Sequence, residues 1–222
     1  MEHAGQNLET SVSNLRPGFV IGNGRSRVGL DLRRLNTAGV TYGSNGIMRD
    51  AWVNNIVCCD RVMLGEATGH HIEKKANIYT RARWLQDNQD PNLRVVPDLP
   101  YLGPNKADQA QHWGSGHYSA LLACKAGHEV IIYVGFDLYG NAKGKQNNVY
   151  SSTNGYKAKT EDAVDPKFWI YHSAKLFEHF PDTQHVYINT PTWEVPEEWK
   201  QYPNFSSDNY EGLDNFLVDY NV

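Results

Sequence analysis

Three short polar side chains stand where apolar, β-forming runs end. Asn23 follows Phe19-Val20-Ile21, Asn45 follows Gly39-Val40-Thr41-Tyr42-Gly43, and Asp60 follows Asn55-Ile56-Val57-Cys58-Cys59. In open parallel sheets the ligand crevice lies at the carboxyl ends of the strands, so these three residues are expected to converge there. Gly22 and Gly24 flank Asn23; they permit a tight turn and let a ligand lie against the main chain. The Asn23 amide both donates and accepts hydrogen bonds. Ser26 and the free N–H groups of the helix that follows complete a pocket suited to phosphate. Ser115-Gly116, opening a later helix, is a second candidate site for an anion or a carboxylate. The competing reading is that each polar residue merely caps the helix after it.

The elements that must position these groups can be read from periodicity. Strands are expected at 19–21, 39–43, 55–59, 78–80, 94–97, 130–134 and 185–188, and helices near 28–35, 82–87, 117–126 and 166–180. The alternation of strands and helices predicts an α/β fold: a single Rossmann-like domain with a mostly parallel central sheet flanked by helices. That domain spans 17–190. Residues 1–16 read as a flexible arm. The segment 141–165, rich in Gly, Lys, Asn and Ser, is long for a loop inside a compact domain and reads as a lid ordering over a ligand. The aromatic and acidic tail, 191–222, is expected to pack on the domain or to form an oligomer contact, which would make the protein a homo-oligomer. The loops 88–92 and 99–105 are rich in Pro, Asn, Asp and Gly, and His70-His71 with Lys74-Lys75 reads as a solvated face.

Composition narrows the function classes. The 222 residues are 40% hydrophobic and 21% charged, with a net charge of -4 and a pI near 6.1. That balance argues against a non-specific nucleic-acid binder, which carries a basic face. No apolar run approaches the length of a membrane span, and the first residues lack a signal peptide's apolar stretch. Three cysteines without a disulfide spacing point to reduced thiols in a cytoplasm. There is no CxxC, and the nine histidines show no ligand spacing beyond His70-His71. No metal and no cofactor are therefore expected. The opening turn is neither a dinucleotide fingerprint nor a P-loop: Arg27 occupies the third small position, and no GK[ST] occurs. Arg25 and Arg27 stand near the turn as candidate phosphate ligands, and Asp137 reads as a turn-former rather than an acid catalyst.

Taken in order, these pieces resemble the bacterial sialyltransferases of glycosyltransferase family 42, the Campylobacter lipooligosaccharide type. Gly22-Asn23-Gly24-x-Ser26 is similar to the family's GNGPS turn, and Leu30-Asp31-Leu32-x-x-Leu35 to the segment after it. Ser44-Asn45-Gly46 resembles its CNQ turn. Ser115-Gly116 through Gly135-Phe136-Asp137-Leu138-Tyr139 is similar to its TSG helix and GIDFY exit. Ile170-Tyr171-His172-Ser173 resembles the IGHS segment that carries the catalytic histidine. Phage proteins with the same GNGxSR opening share the pattern, and archaeal pterin pyrophosphokinases share it more distantly. The resemblance implies a glycosyltransferase that needs no metal and moves a sugar from a CMP-sugar to a hydroxyl-bearing acceptor. Asn23, Ser26 and Asn45 would contact the nucleotide, and Ser115-Gly116 the sugar carboxylate. Tyr139 and Tyr150 would hydrogen-bond the leaving phosphate, and His172 would be the general base. An imidazole titrating near neutrality suits that last role. The chain departs from the pattern at Arg25 (proline in the family), at Asp60 (asparagine), and at His112-Trp113, where a basic residue is expected. Two alternatives keep the pocket and change the chemistry: a non-catalytic nucleotide-binding protein, and a magnesium-dependent pyrophosphokinase-like transferase.

Overall fold

A computed structural model of the protein describes residues 16–69, 76–86 and 92–218. Residues 1–15 of the expected flexible arm, the His70-His71 and Lys74-Lys75 face, and most of the 88–92 loop lie outside the described residues. Among the described residues, eight strands form one sheet: β1 (Gly18–Ile21), β2 (Val40–Ser44), β3 (Asn55–Val57), β4 (Asn77–Thr80), β5 (Leu93–Val95), β6 (Val130–Val134), β7 (Gln184–Ile188) and β8 (Phe205–Asp208). Their spatial order is β5-β4-β3-β2-β1-β6-β7-β8, and every pairing is parallel. The α/β class and the helix-flanked sheet expected from the sequence are therefore present.

Why these runs become strands follows from burial on both faces. Along β1, Phe19 and Ile21 enter one core with α1 (Leu32–Ala38), α2 (Arg61–Gly69) and α6 (Tyr210–Val218), whereas Val20 enters the other. In β6, Ile132 and Val134 face the first core, and Ile131 and Tyr133 the second. A strand covered on both sides has no polar face, so it reads as an unbroken apolar run. The second core holds α4 (Ser115–Lys125), α5 (Lys167–His179) and an aromatic cluster in which Tyr187 stacks on Tyr133 at 4.2 Å. The remaining short helix, α3, is Ala82–Leu85.

The tail beyond 190 builds more than a surface strap. It turns through Trp193 and Trp199, which pack against Tyr187, adds β8 to the sheet edge, and returns as α6 to close the first core through Leu213 and Leu217. Among the described residues no helix is long and apolar enough to cross a membrane.

Candidate functional site

The strand order reverses at β1, which lies between β2 and β6, so the connections leave in opposite directions and open a crevice beyond the strands' carboxyl ends. A cavity of about 240 Å³ occupies that crevice. Gly22-Asn23-Gly24 supply one wall, Ser44-Asn45 a second, the start of α4 a third, and Gly135 through Tyr139 a fourth. Gln146, Asn147 and Asn148 close it from the 141–165 segment, with Ala163, Val164 and Trp169 behind them.

Asn23 and Asn45 converge as their strand-end positions predict. The Asn23 amide nitrogen donates to the Ser44 carbonyl at 3.3 Å and to the Tyr156 hydroxyl at 3.2 Å. These bonds fix the amide's orientation, because the flipped form would set oxygen against the Ser44 carbonyl. Its Oδ1 is buried without a partner among the described residues, and so is Oδ1 of Asn45. Asn45 carries a φ of 49°, a left-handed conformation that asparagine tolerates better than most side chains and that ends β2 abruptly. Two enclosed acceptors left unpaired each cost about 1–3 kcal/mol, a deficit that a ligand's N–H or O–H groups would remove.

Asp60 does not join them. It is exposed, lies three residues past the end of β3, and its carbonyl accepts the first helical bond of α2, from Leu64 at 2.9 Å. The glycines of the opening turn also differ from expectation. A side chain at Gly22 would meet the Gly135 carbonyl, and one at Gly24 would meet the Asp137 carboxylate. Their bare faces accommodate the β6 exit rather than a ligand. Gly116 is the reverse: a Cβ there would find only ordinary contacts with Phe136, at 3.6 Å, and its open face borders the cavity. The first turn of α4 leaves backbone N–H groups unsatisfied and carries a partial positive charge. The Ser115 hydroxyl is already engaged, accepting from the Cys59 amide at 3.0 Å.

Asp137 is the carboxylate of the cavity, 8% exposed. It accepts from the Ser26 amide at 3.0 Å, the Ser26 hydroxyl at 2.5 Å and the Asn147 amide at 2.9 Å. Burial nevertheless pushes its carboxyl above the usual range. Ser26 is thus spent on Asp137 and also accepts from the Tyr210 hydroxyl at 3.1 Å; it does not line this cavity. Between Asp137 and Tyr139, Leu138 has a φ of 63°, a strained backbone for a leucine. The inversion allows the exit of β6 to present both neighbours to the cavity. The Tyr139 ring lines the cavity, and burial raises its phenol's pKa, which keeps it a hydrogen-bond donor.

Tyr150 and Arg27 work beneath the site rather than in it. Buried Arg27 donates to the Gly22 carbonyl at 2.9 Å, to Asp50 at 2.8 Å and to the Tyr150 hydroxyl at 2.9 Å, and Tyr150 in turn donates to Asp50 at 2.7 Å. This cluster ties the 141–165 segment to the opening turn. Tyr156, which sequence reasoning left without a role, reaches further in: its hydroxyl accepts from the Gly46 amide at 2.9 Å as well as from Asn23. Arg49 secures the same segment through Thr153 and Asn154.

His172 lies behind the cavity, fully buried. It stacks on Trp113 at 4.6 Å, and its Nε2 meets the Ala107 carbonyl at 2.9 Å. A carbonyl only accepts, so Nε2 carries the proton and Nδ1 holds the lone pair, enclosed without a partner among the described residues. Burial lowers this imidazole's pKa to about 4. His117 stands between it and the cavity, with its ring 5.4 Å from that of His172. It meets Ser173 Oγ at 3.1 Å, and Ser173 accepts from the Tyr187 hydroxyl at 3.0 Å. In the arrangement that satisfies all three groups, Ser173 donates to His117 and leaves that nitrogen no lone pair for chemistry. Burial lowers His117 to about 3.

No protein-family model matches the sequence, and no curated protein is similar enough in sequence to be recognised. Among solved structures, the chain is similar to the crystal structure of an α-2,3-sialyltransferase from Campylobacter jejuni in its apo form. The match has a TM-score of 0.53 at 14% identity and covers 86% of this chain and 80% of that one. At that identity the likeness concerns the fold.

Proposed function

We propose that the chain is a glycosyltransferase that takes its sugar from a nucleotide-sugar donor seated in the crevice at the sheet's reversal point. One observation carries the reading: the enclosed, unpartnered amide oxygens of Asn23 and Asn45 in the same cavity. Nucleoside amino and hydroxyl groups are the donors such acceptors lack. The start of α4 supplies N–H groups for a phosphate. Among the described residues, the cavity lining contains no lysine or arginine and one carboxylate, Asp137. Such a wall suits a single phosphate and opposes a di- or triphosphate, which favours a CMP-linked donor.

In the transfer, the acceptor oxygen bonds to the anomeric carbon as the bond from that carbon to the phosphate oxygen breaks. The electron pair leaves on the nucleotide phosphate, which the Tyr139 hydroxyl and the α4 amides stabilise without a metal. The acceptor's proton passes to Asp137, whose raised pKa makes it a better base than an exposed carboxylate. His172 takes that role only if the Ala107–Trp113 segment withdraws from it.

Burial of His172 favours a second reading, a nucleotide-binding protein without turnover. Calorimetry with CMP, together with hydrolysis of CMP-N-acetylneuraminic acid in the presence of EDTA, separates the two. The transferase reading expects CMP binding that Asn23→Ala weakens about tenfold, the equivalent of one hydrogen bond to an orphaned acceptor. It also expects EDTA-insensitive hydrolysis that Asp137→Asn and Tyr139→Phe slow. Tight binding with an unchanged nucleotide sugar would establish the second reading.

A further inference from the structure

We propose that a second cavity, on the far side of Asp137 and Tyr139, binds the acceptor, and that the acceptor is a neutral saccharide. Its assignment to the acceptor rests on the transferase reading above. This cavity, of about 640 Å³, opens beside the carboxyl ends of β1, β6 and β7. Asp137, Tyr139 and Asn147 line both cavities, so three side chains form the partition between them. A group bound in the second cavity therefore meets the carboxylate and the phenol that a donor meets from the first.

The chemistry of the lining points to a sugar. Trp193 is pinned: its indole N–H donates to the Asp137 carbonyl at 3.0 Å, and its ring runs parallel to Tyr187, 2° apart in plane at 6.1 Å. A ring already fixed offers a platform for the apolar C–H face of a pyranose at little entropic cost. At the rim stand exposed Arg25 and Glu194, neither with an ion partner among the described residues. One supplies a fork of donors and the other acceptors, the complement of neighbouring hydroxyls that do both. Their charges cancel, and with Asp137 the lining is net acidic, which opposes a phosphate or a nucleic acid. Thr190 and the buried Asn189 add further polar groups at the end of β7.

The test is ligand-observed NMR on the full chain, with and without CMP, using methyl glycosides of glucose, galactose and N-acetylglucosamine as probes. At least one is expected to bind with a millimolar Kd. Thr190→Trp should weaken that binding about tenfold or more by filling the cavity, while leaving CMP affinity within about twofold. Thr190 is exposed, and among the described residues its hydroxyl reaches only that of Thr192, at 3.5 Å, so the fold should tolerate the change. Trp193→Ala should act alike, but it also strips packing from Tyr187 and Trp199, so Thr190→Trp decides. Binding of no glycoside, or binding that survives Thr190→Trp, overturns the proposal even if CMP binds normally. Glycoside binding blocked by Thr190→Trp without any CMP binding keeps the saccharide site and removes the transferase reading.

Discussion

Acidification should unfold this protein through its buried imidazoles, and the magnitude can be worked out. His117, His172 and His185 are at most 4% exposed, and burial lowers them to about 3, 4 and 3. Unfolded histidines titrate near pH 6.5. A depressed pKa means that the unfolded chain binds the extra protons. The stabilising contribution is therefore complete above about pH 6.5 and is lost as the pH falls toward the folded values near 3–4. Between about pH 7.5 and about pH 5 each imidazole costs about 2 kcal/mol, and the three together about 6 kcal/mol. That loss is comparable to the whole stability of many domains, about 5–15 kcal/mol. Asp137 works in the opposite direction, since its raised pKa makes its contribution complete at low pH and lost as the pH rises; one carboxyl does not offset three imidazoles. Urea midpoints measured across this range should fall steeply, and His172→Gln should flatten the slope by about a third. Imidazole ¹⁵N NMR assigns the sites directly. If His172 titrates near neutral pH in the folded protein, or the stability loss is below about 1 kcal/mol, the burial argument fails. His172 then returns as the candidate base.

Two further substitutions test how the site is held. Gly24→Ala drives a methyl into the Asp137 carboxylate and the Gly135 carbonyl; chemical denaturation should show a loss of about 2–3 kcal/mol, as for an overpacked core. Tyr156→Phe leaves the Gly46 amide without its acceptor and frees one side of the Asn23 amide. The expected result is a loss of about 1–2 kcal/mol and faster proteolytic nicking between 141 and 165, with the sheet's far-UV circular dichroism unchanged.

Much of the fold was legible because a sheet covered on both faces writes its strands as apolar runs. Val130–Val134 shows this best, its expected and observed bounds coinciding. β8 was not legible: Phe205-Ser206-Ser207-Asp208 is a largely exposed edge strand, and nothing in its polarity distinguishes it from a loop. Asn23 and Asn45 could be found since the place of a strand's end determines where its next side chain points. Helix α5 offers no such rule. Whether His172 faces a ligand or a core depends on a loop some sixty residues earlier, whose Ala107 carbonyl and Trp113 ring claim it. The same holds for Ser26, Tyr150 and Arg27, which look available in sequence and are occupied by distant partners. Tyr156 and His117 gave no local signal either, because their roles come from contacts across the chain.

Asp137, Tyr139 and Asn147 border both chambers at once. Any guest that shifts these residues from one chamber reshapes the other, and thermodynamic linkage makes the effect reciprocal: whatever factor the first occupant imposes on the second is returned unchanged. Cooperativity between the two chambers thus needs no moving domain, only a shared partition whose strained turn at Leu138 has two faces to serve.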